Sequence, residues 1–152
     1  MDWVHLHLAL NHLPVLGTPF LLLLMLWSWW RKQPVTARFS LWLFVGLSVV
    51  SIAVKYTGDF AWENVQKQPG FDPVLVERHE QAADQATTGV FVLGIAAAVA
   101  LFVSRAGRAT PRWARVTVAV IAVATCLLMA RTANFGGHIR HPEIRPASAP
   151  KP

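Results

Sequence analysis

Cysteine is almost absent from this 152-residue chain: Cys126 stands alone. A disulfide within the chain, the Cys-x-x-Cys-His attachment of c-type haem and any cysteine-ligated iron–sulfur cluster are thereby excluded. Charge is scarce as well. Only 14% of residues are Asp, Glu, Lys or Arg and 54% are hydrophobic, whereas an ordinary soluble domain is roughly one quarter charged. Neither a His-Glu-x-x-His nor a Glu-x-x-His pair occurs, which counts against a metal-dependent hydrolase. No Lys or Arg precedes the first apolar stretch. Asp2 lies before it and Arg31 and Lys32 follow, the reverse of a cleaved signal peptide, so this stretch is expected to remain in the mature protein.

The gaps between charges are the main positive signal. Leu13–Trp30, Phe39–Val54, Ala86–Ser104 and Val116–Ala130 contain no Asp, Glu, Lys, Arg or His. Each is about 15 to 20 residues, near the length that crosses the hydrocarbon core of a bilayer as a helix. The regular apolar–polar alternation of a membrane barrel is missing. The sequence therefore predicts an all-α integral membrane four-helix bundle in one domain, 1–141, with helices at about 12–31, 38–57, 76–104 and 113–136. A proline-rich tail, 142–152, has too little apolar content to fold. Within this layout residues 1–12 read as an interfacial lead-in, Pro14 as a first-turn proline and Pro19 as a kink, with Pro69-Gly70 and Asp72-Pro73 as turns.

Orientation follows from the connections. The first holds Arg31, Lys32 and Arg38, the third Arg105, Arg108, Arg112 and Arg115, and neither contains an acid. Short loops rich in Lys and Arg stay in the cytoplasm, which puts both termini, all eight acids and all six histidines on the opposite side. Trp27, Trp29 and Trp30 mark the interface at the end of the first helix. The excess of basic charge is then a matter of topology and of contact with anionic lipid, not of nucleic acid.

Four polar clusters fall at the outer helix ends: His5, His7 and His12; Lys55, Thr57, Asp59 and Glu63; His79, Glu80 and Asp84; and Arg131, Asn134, His138, Arg140 and His141. A bundle gathers them into one layer. Any one histidine is adequately explained as an interfacial hydrogen-bonding group, and Lys55 and Arg131 as snorkelling cations. Histidines on different helices with nearby cations also fit haem b, with imidazole nitrogens on iron and Arg or Lys on the propionates. His12 with His79 is the first candidate pair, His138 the alternate for either, and Arg131 and Arg140 the propionate partners. A transition metal ion (zinc, copper or iron) held by His12, His79, His138, Asp59, Glu80 and Asp84 is the other chemistry. The third reading is a structural subunit that docks in a larger membrane complex through its small-residue helix faces.

The segments Asn11-His12-Leu13-Pro14-Val15-Leu16-Gly17, Thr57-Gly58-Asp59, His79-Glu80-Gln81-Ala82-Ala83 and the run from Ala130 to His141 resemble a family of small, largely uncharacterised bacterial inner-membrane proteins. Its members begin with a His-x-Pro motif on the first helix. The resemblance covers nearly all of the chain before the tail, implies a four-helix bundle and carries no established activity. It maps onto His12, Asp59, His79, Glu80, Arg131, Asn134 and Arg140, with His5, His7 and His141 less characteristic. Similar proteins accompany cytochromes or Rieske-type proteins, which implies electron transfer, with quinone and a periplasmic redox protein as partners.

The orientation is directly testable by reporter fusion. Alkaline phosphatase fused after Pro152 is expected to be active and an insertion after Arg108 inactive; the reverse pattern would invert the assignment.

Overall fold

A computed structural model describes residues 2–67, 71–105 and 108–145. It has four helices, α1 (Trp3–Trp30), α2 (Pro34–Val65), α3 (Pro73–Val103) and α4 (Arg112–Arg140), followed by a single 3-10 turn at Pro142–Ile144. All four are long and apolar enough to cross a membrane. The expected turn at Pro69-Gly70 and residues 146–152 of the tail lie outside the described residues.

The helices run past the apolar stretches that announce them. α1 starts at Trp3, nine residues ahead of the expected position near His12, and α2 ends at Val65, beyond the expected end near residue 57. Hydropathy marks the part of a helix that suits lipid, while backbone hydrogen bonding continues wherever caps and side chains allow it. Asp2 caps α1 by accepting from the Val4 amide at 3.3 Å, and also accepts from the Asn64 amide group at 3.3 Å, which ties the start of α1 to the end of α2. Asp72 caps α3, accepting from the amides of Val74 and Leu75 at 3.0 and 3.2 Å. Proline occupies the start of α2 and α3, where its missing N–H costs nothing. Pro14 and Pro19 both lie inside α1, so Pro14 is an interior residue of that helix and not part of its first turn.

Short connections make the bundle antiparallel. α1 packs most extensively on α2 and α3 on α4; α2 meets α3 less extensively, and α1 meets α4 least of all. One end of the bundle carries the start of α1, the α2–α3 connection and the end of α4 and is called here the terminal end. The other carries the two arginine-rich connections and is called the basic end.

The two hairpins are copies of one pattern. In α1 the buried residues are Pro14, Thr18, Leu21, Leu22, Met25 and Ser28. At the same intervals in α3 stand Ala86, Val90, Leu93, Gly94, Ala97 and Ala100, all buried. Ser40, Phe44 and Ser51 of α2 match Val118, Ala122 and Met129 of α4 in the same way. The α1–α2 hairpin thus repeats as α3–α4, an approximate two-fold relation about the bundle axis. Bulky residues of one copy face small residues of the other: Met25 and Phe44 share the core with Ala97, Ala100 and Ala122.

Polar groups in this interior are satisfied locally. The hydroxyls of Thr18, Ser40, Ser51, Thr125 and Thr132 each donate to the carbonyl one turn back, at 2.7 to 3.0 Å, which removes the penalty of an unpaired hydroxyl in an apolar medium. Large apolar side chains cover the outside; Phe20, Leu23, Ile95, Val120 and Leu127 are each more than 60% exposed, as expected where lipid replaces water.

α2 and α3 cross most closely at Gly94, where an added Cβ would overlap the Ser48 hydroxyl. Gly94→Val is therefore expected to destabilise the bundle by about 1–3 kcal/mol. Gly46 faces open space, so Gly46→Ala should leave stability within about 0.5 kcal/mol. Thermal melts in detergent separate the two, and a Gly94→Val variant as stable as the parent would contradict this crossing.

Candidate functional site

At the terminal end a histidine-to-carbonyl contact occurs twice, once in each hairpin. In the first hairpin the half-buried His7 of α1 has Nδ1 3.1 Å from the Val54 carbonyl of α2. The Thr57 hydroxyl lies 3.4 Å from the same nitrogen and itself donates to Val54 O at 2.9 Å. In the second hairpin the half-buried His79 of α3 has Nδ1 3.1 Å from the Thr132 carbonyl of α4. A glycine follows each acceptor by one turn. A Cβ on Gly58 would stand 3.1 Å from His7 Cε1, and one on Gly136 would stand 3.2 Å from His79 Cε1.

This arrangement fixes the tautomer by elimination. A carbonyl oxygen can only accept, so Nδ1 carries the proton in both rings and the neutral imidazole keeps its lone pair on Nε2. The same second-shell bond orients histidines that ligate metals. The glycines let each ring lie flush against the neighbouring helix, where a side chain would push it away.

The remaining expected site residues are placed differently. His12 is exposed on α1, and its Nδ1 donates to the Leu8 carbonyl of its own helix at 2.6 Å. His138 is half-buried near the end of α4, and Arg140 is exposed. Lys55 and Asp84 form a 2.8 Å ion pair between α2 and α3, both side chains about half exposed, and contribute little stability there. Arg131 donates to Gln85 Oε1 at 3.0 Å and lies 5.7 Å from the Phe135 ring centroid. Asp59, Glu80 and Asn134 are exposed, as is His5. His141 contacts Glu143 at 2.9 Å, and the backbone amide of Glu143 together with this imidazole holds its carboxyl below the usual range. The Glu63 side chain lies outside the described residues.

Thus the structure gives His7 and His79 matching partners, each a carbonyl of the adjacent helix, and leaves His12 on the outer surface. Among the described residues no three His, Cys, Asp or Glu groups converge as metal ligands. His7, Gly58 and Gly136 are the participants that sequence reasoning missed. Their signal is a matter of intervals: His7 precedes Gly17 by the same distance as His79 precedes Gly89, and Val54 precedes Gly58 as Thr132 precedes Gly136.

Two neutral imidazoles, each with Nδ1 anchored, supply two nitrogens, fewer than a four-coordinate ion takes; two histidine nitrogens are the number a bis-histidine haem would use. Ala82 and Ala86, beyond His79 on α3, are small and buried, and Ala86 packs with Val90 and Met129.

Compared with known proteins, the chain matches no family model, no curated protein and no solved structure.

The tautomer assignment can be read by nitrogen NMR on ¹⁵N-histidine-labelled apoprotein at neutral pH. His7 and His79 are expected to show protonated Nδ1 and unprotonated Nε2; a protonated Nε2 on either ring would remove the carbonyl bond from the description.

Proposed function

We propose that this protein is an electron-transfer subunit of the bacterial inner membrane that binds haem b near its non-cytoplasmic face and exchanges electrons with quinone and a periplasmic redox protein. The observation that carries this reading is the duplicated histidine cradle, His7 on Val54 and Gly58 and His79 on Thr132 and Gly136. His7 replaces His12 as the partner of His79 because His12 is exposed and bonded to its own helix. The arginine-rich connections support the orientation, with the terminal end outside.

When bound, haem supplies reversible one-electron chemistry. The chain's residues do the rest. The Val54 and Thr132 carbonyls hold each imidazole in the tautomer that presents Nε2, and increase its basicity by accepting from Nδ1–H. Arg131 and Arg140 are the cations for the propionates: Arg131 donates to the neutral Gln85 amide oxygen, an acceptor that a carboxylate displaces readily. Asp59 and Glu80, exposed at the same end, receive protons released on quinol oxidation. The apolar bundle below them keeps water from the site.

A dithionite-reduced minus oxidised spectrum, with pyridine haemochrome quantification on the same detergent-purified protein, tests this. About one b-type haem per chain is expected. His7→Ala and His79→Ala should each abolish the low-spin spectrum, Gly136→Val should reduce haem content, and His12→Ala should keep the haem. A flat spectrum after reconstitution with haem overturns the reading. Loss with His12→Ala but not His7→Ala would restore the pairing of His12 with His79.

A further inference from the structure

The opposite end of the bundle contains a second constructed feature, and it lies where the two-fold relation between hairpins breaks. The α2–α3 seam is closed at the basic end: Arg38, early in α2, donates to the Ser104 carbonyl at the end of α3 at 2.8 Å. The related α4–α1 seam is not. Arg115, early in α4, stands with its guanidinium carbon 5.7 Å from the Trp29 ring centroid, and its Nε is buried without a hydrogen-bond partner among the described residues. A buried, unpaired donor on a charged group is costly and calls for an acceptor.

The same seam is less extensive than the α1–α2, α3–α4 and α2–α3 contacts. It contains an open groove of about 240 Å³ lined by Leu22, Leu26, Ala119, Val120 and Val123. Ala119 is one turn along α4 from Arg115 and Leu26 one turn along α1 from Trp29, so the groove runs up to the arginine. α4 itself begins at Pro111 with no side-chain cap and no acid in its first turn, leaving its first amides free to receive an anion. The connections at this end contain no acid to compete.

We propose that the α1–α4 seam is a binding site for an anionic phospholipid of the leaflet facing the arginine-rich connections. One acyl chain lies in the groove against Leu22, Ala119 and Val123. The phosphate is held by Arg115 and the first turn of α4, with Arg112 and Arg31 nearby as exposed cations. Charge complementarity selects the anionic headgroup, and the continuity of groove and arginine selects a lipid over a free anion. The site stands independently of the haem reading.

Native mass spectrometry of the full-length protein in detergent, titrated with phosphatidylglycerol or phosphatidylcholine, is the test. Preferential retention of phosphatidylglycerol is expected. Arg115→Gln should weaken that preference about fivefold, and Ala119→Phe, which fills the groove with the arginine intact, should weaken phosphatidylglycerol binding as well. Lys67→Gln, the same charge change at the other end, should bind as the parent does. Equal retention of the two lipids, an Arg115→Gln or Ala119→Phe variant that binds like the parent, or displacement of the lipid by millimolar inorganic phosphate would each overturn the proposal. Far-UV circular dichroism on both variants identifies loss of fold, and the parent's lipid preference decides the question in that case.

Discussion

A peptide group in hydrocarbon has no water to bond with, and almost every feature of this molecule follows from that constraint. It requires the spanning segments to be helical, and it leaves inward faces and helix ends as the places where further polar groups are tolerated. The interior hydroxyls comply by donating to their own helix, as Thr18 and Ser51 do. His7 and His79 comply differently. Each donates its single N–H to a carbonyl of the adjacent helix, which leaves an unshared lone pair on Nε2.

The matching intervals give each hairpin one histidine that leans across to a carbonyl and a glycine. The hairpins differ where packing demands it. α3 carries Ala97 where α1 carries Met25, and two bulky residues at this level would overfill one core. The seams differ as well. α2 and α3 are joined by Arg38 and by the Lys55–Asp84 pair, while the position of α1 that corresponds to Asp84 is His12, which stays on the outer surface. The weaker α1–α4 seam is left with a groove and an unpaired arginine.

The two ends of the bundle therefore serve different physical roles. At the basic end, arginines stack on Trp29, Trp30 and Phe102, which suits cations that sit at a headgroup layer. At the terminal end acids, histidines and Arg131 occur together, with Lys55 paired to Asp84 and with Asp59 and Glu80 exposed. An apolar core built mainly of Leu and Ala, with Met25 and Phe44, lies on the basic side of this site and separates the two.

The sequence by itself determined the number of helices, their all-α class and their suitability for a membrane, because lipid imposes a length and a composition that four charge-free runs satisfy and no soluble fold needs. It also placed the charged residues toward the helix ends and connections, since charge is expelled from hydrocarbon to where the chain turns. Which histidine faces which was decided only by the tertiary structure. His5, His7 and His12 all precede the same apolar run, and nothing in local composition separates them. Extending α1 back to Trp3 sets the rotation of the helix, turning His7 to the interior with the buried stripe of Pro14, Thr18 and Leu21 and turning His12 outward. Rotation about a helix axis depends on packing against neighbours, and packing is a property of the assembled bundle rather than of any one segment.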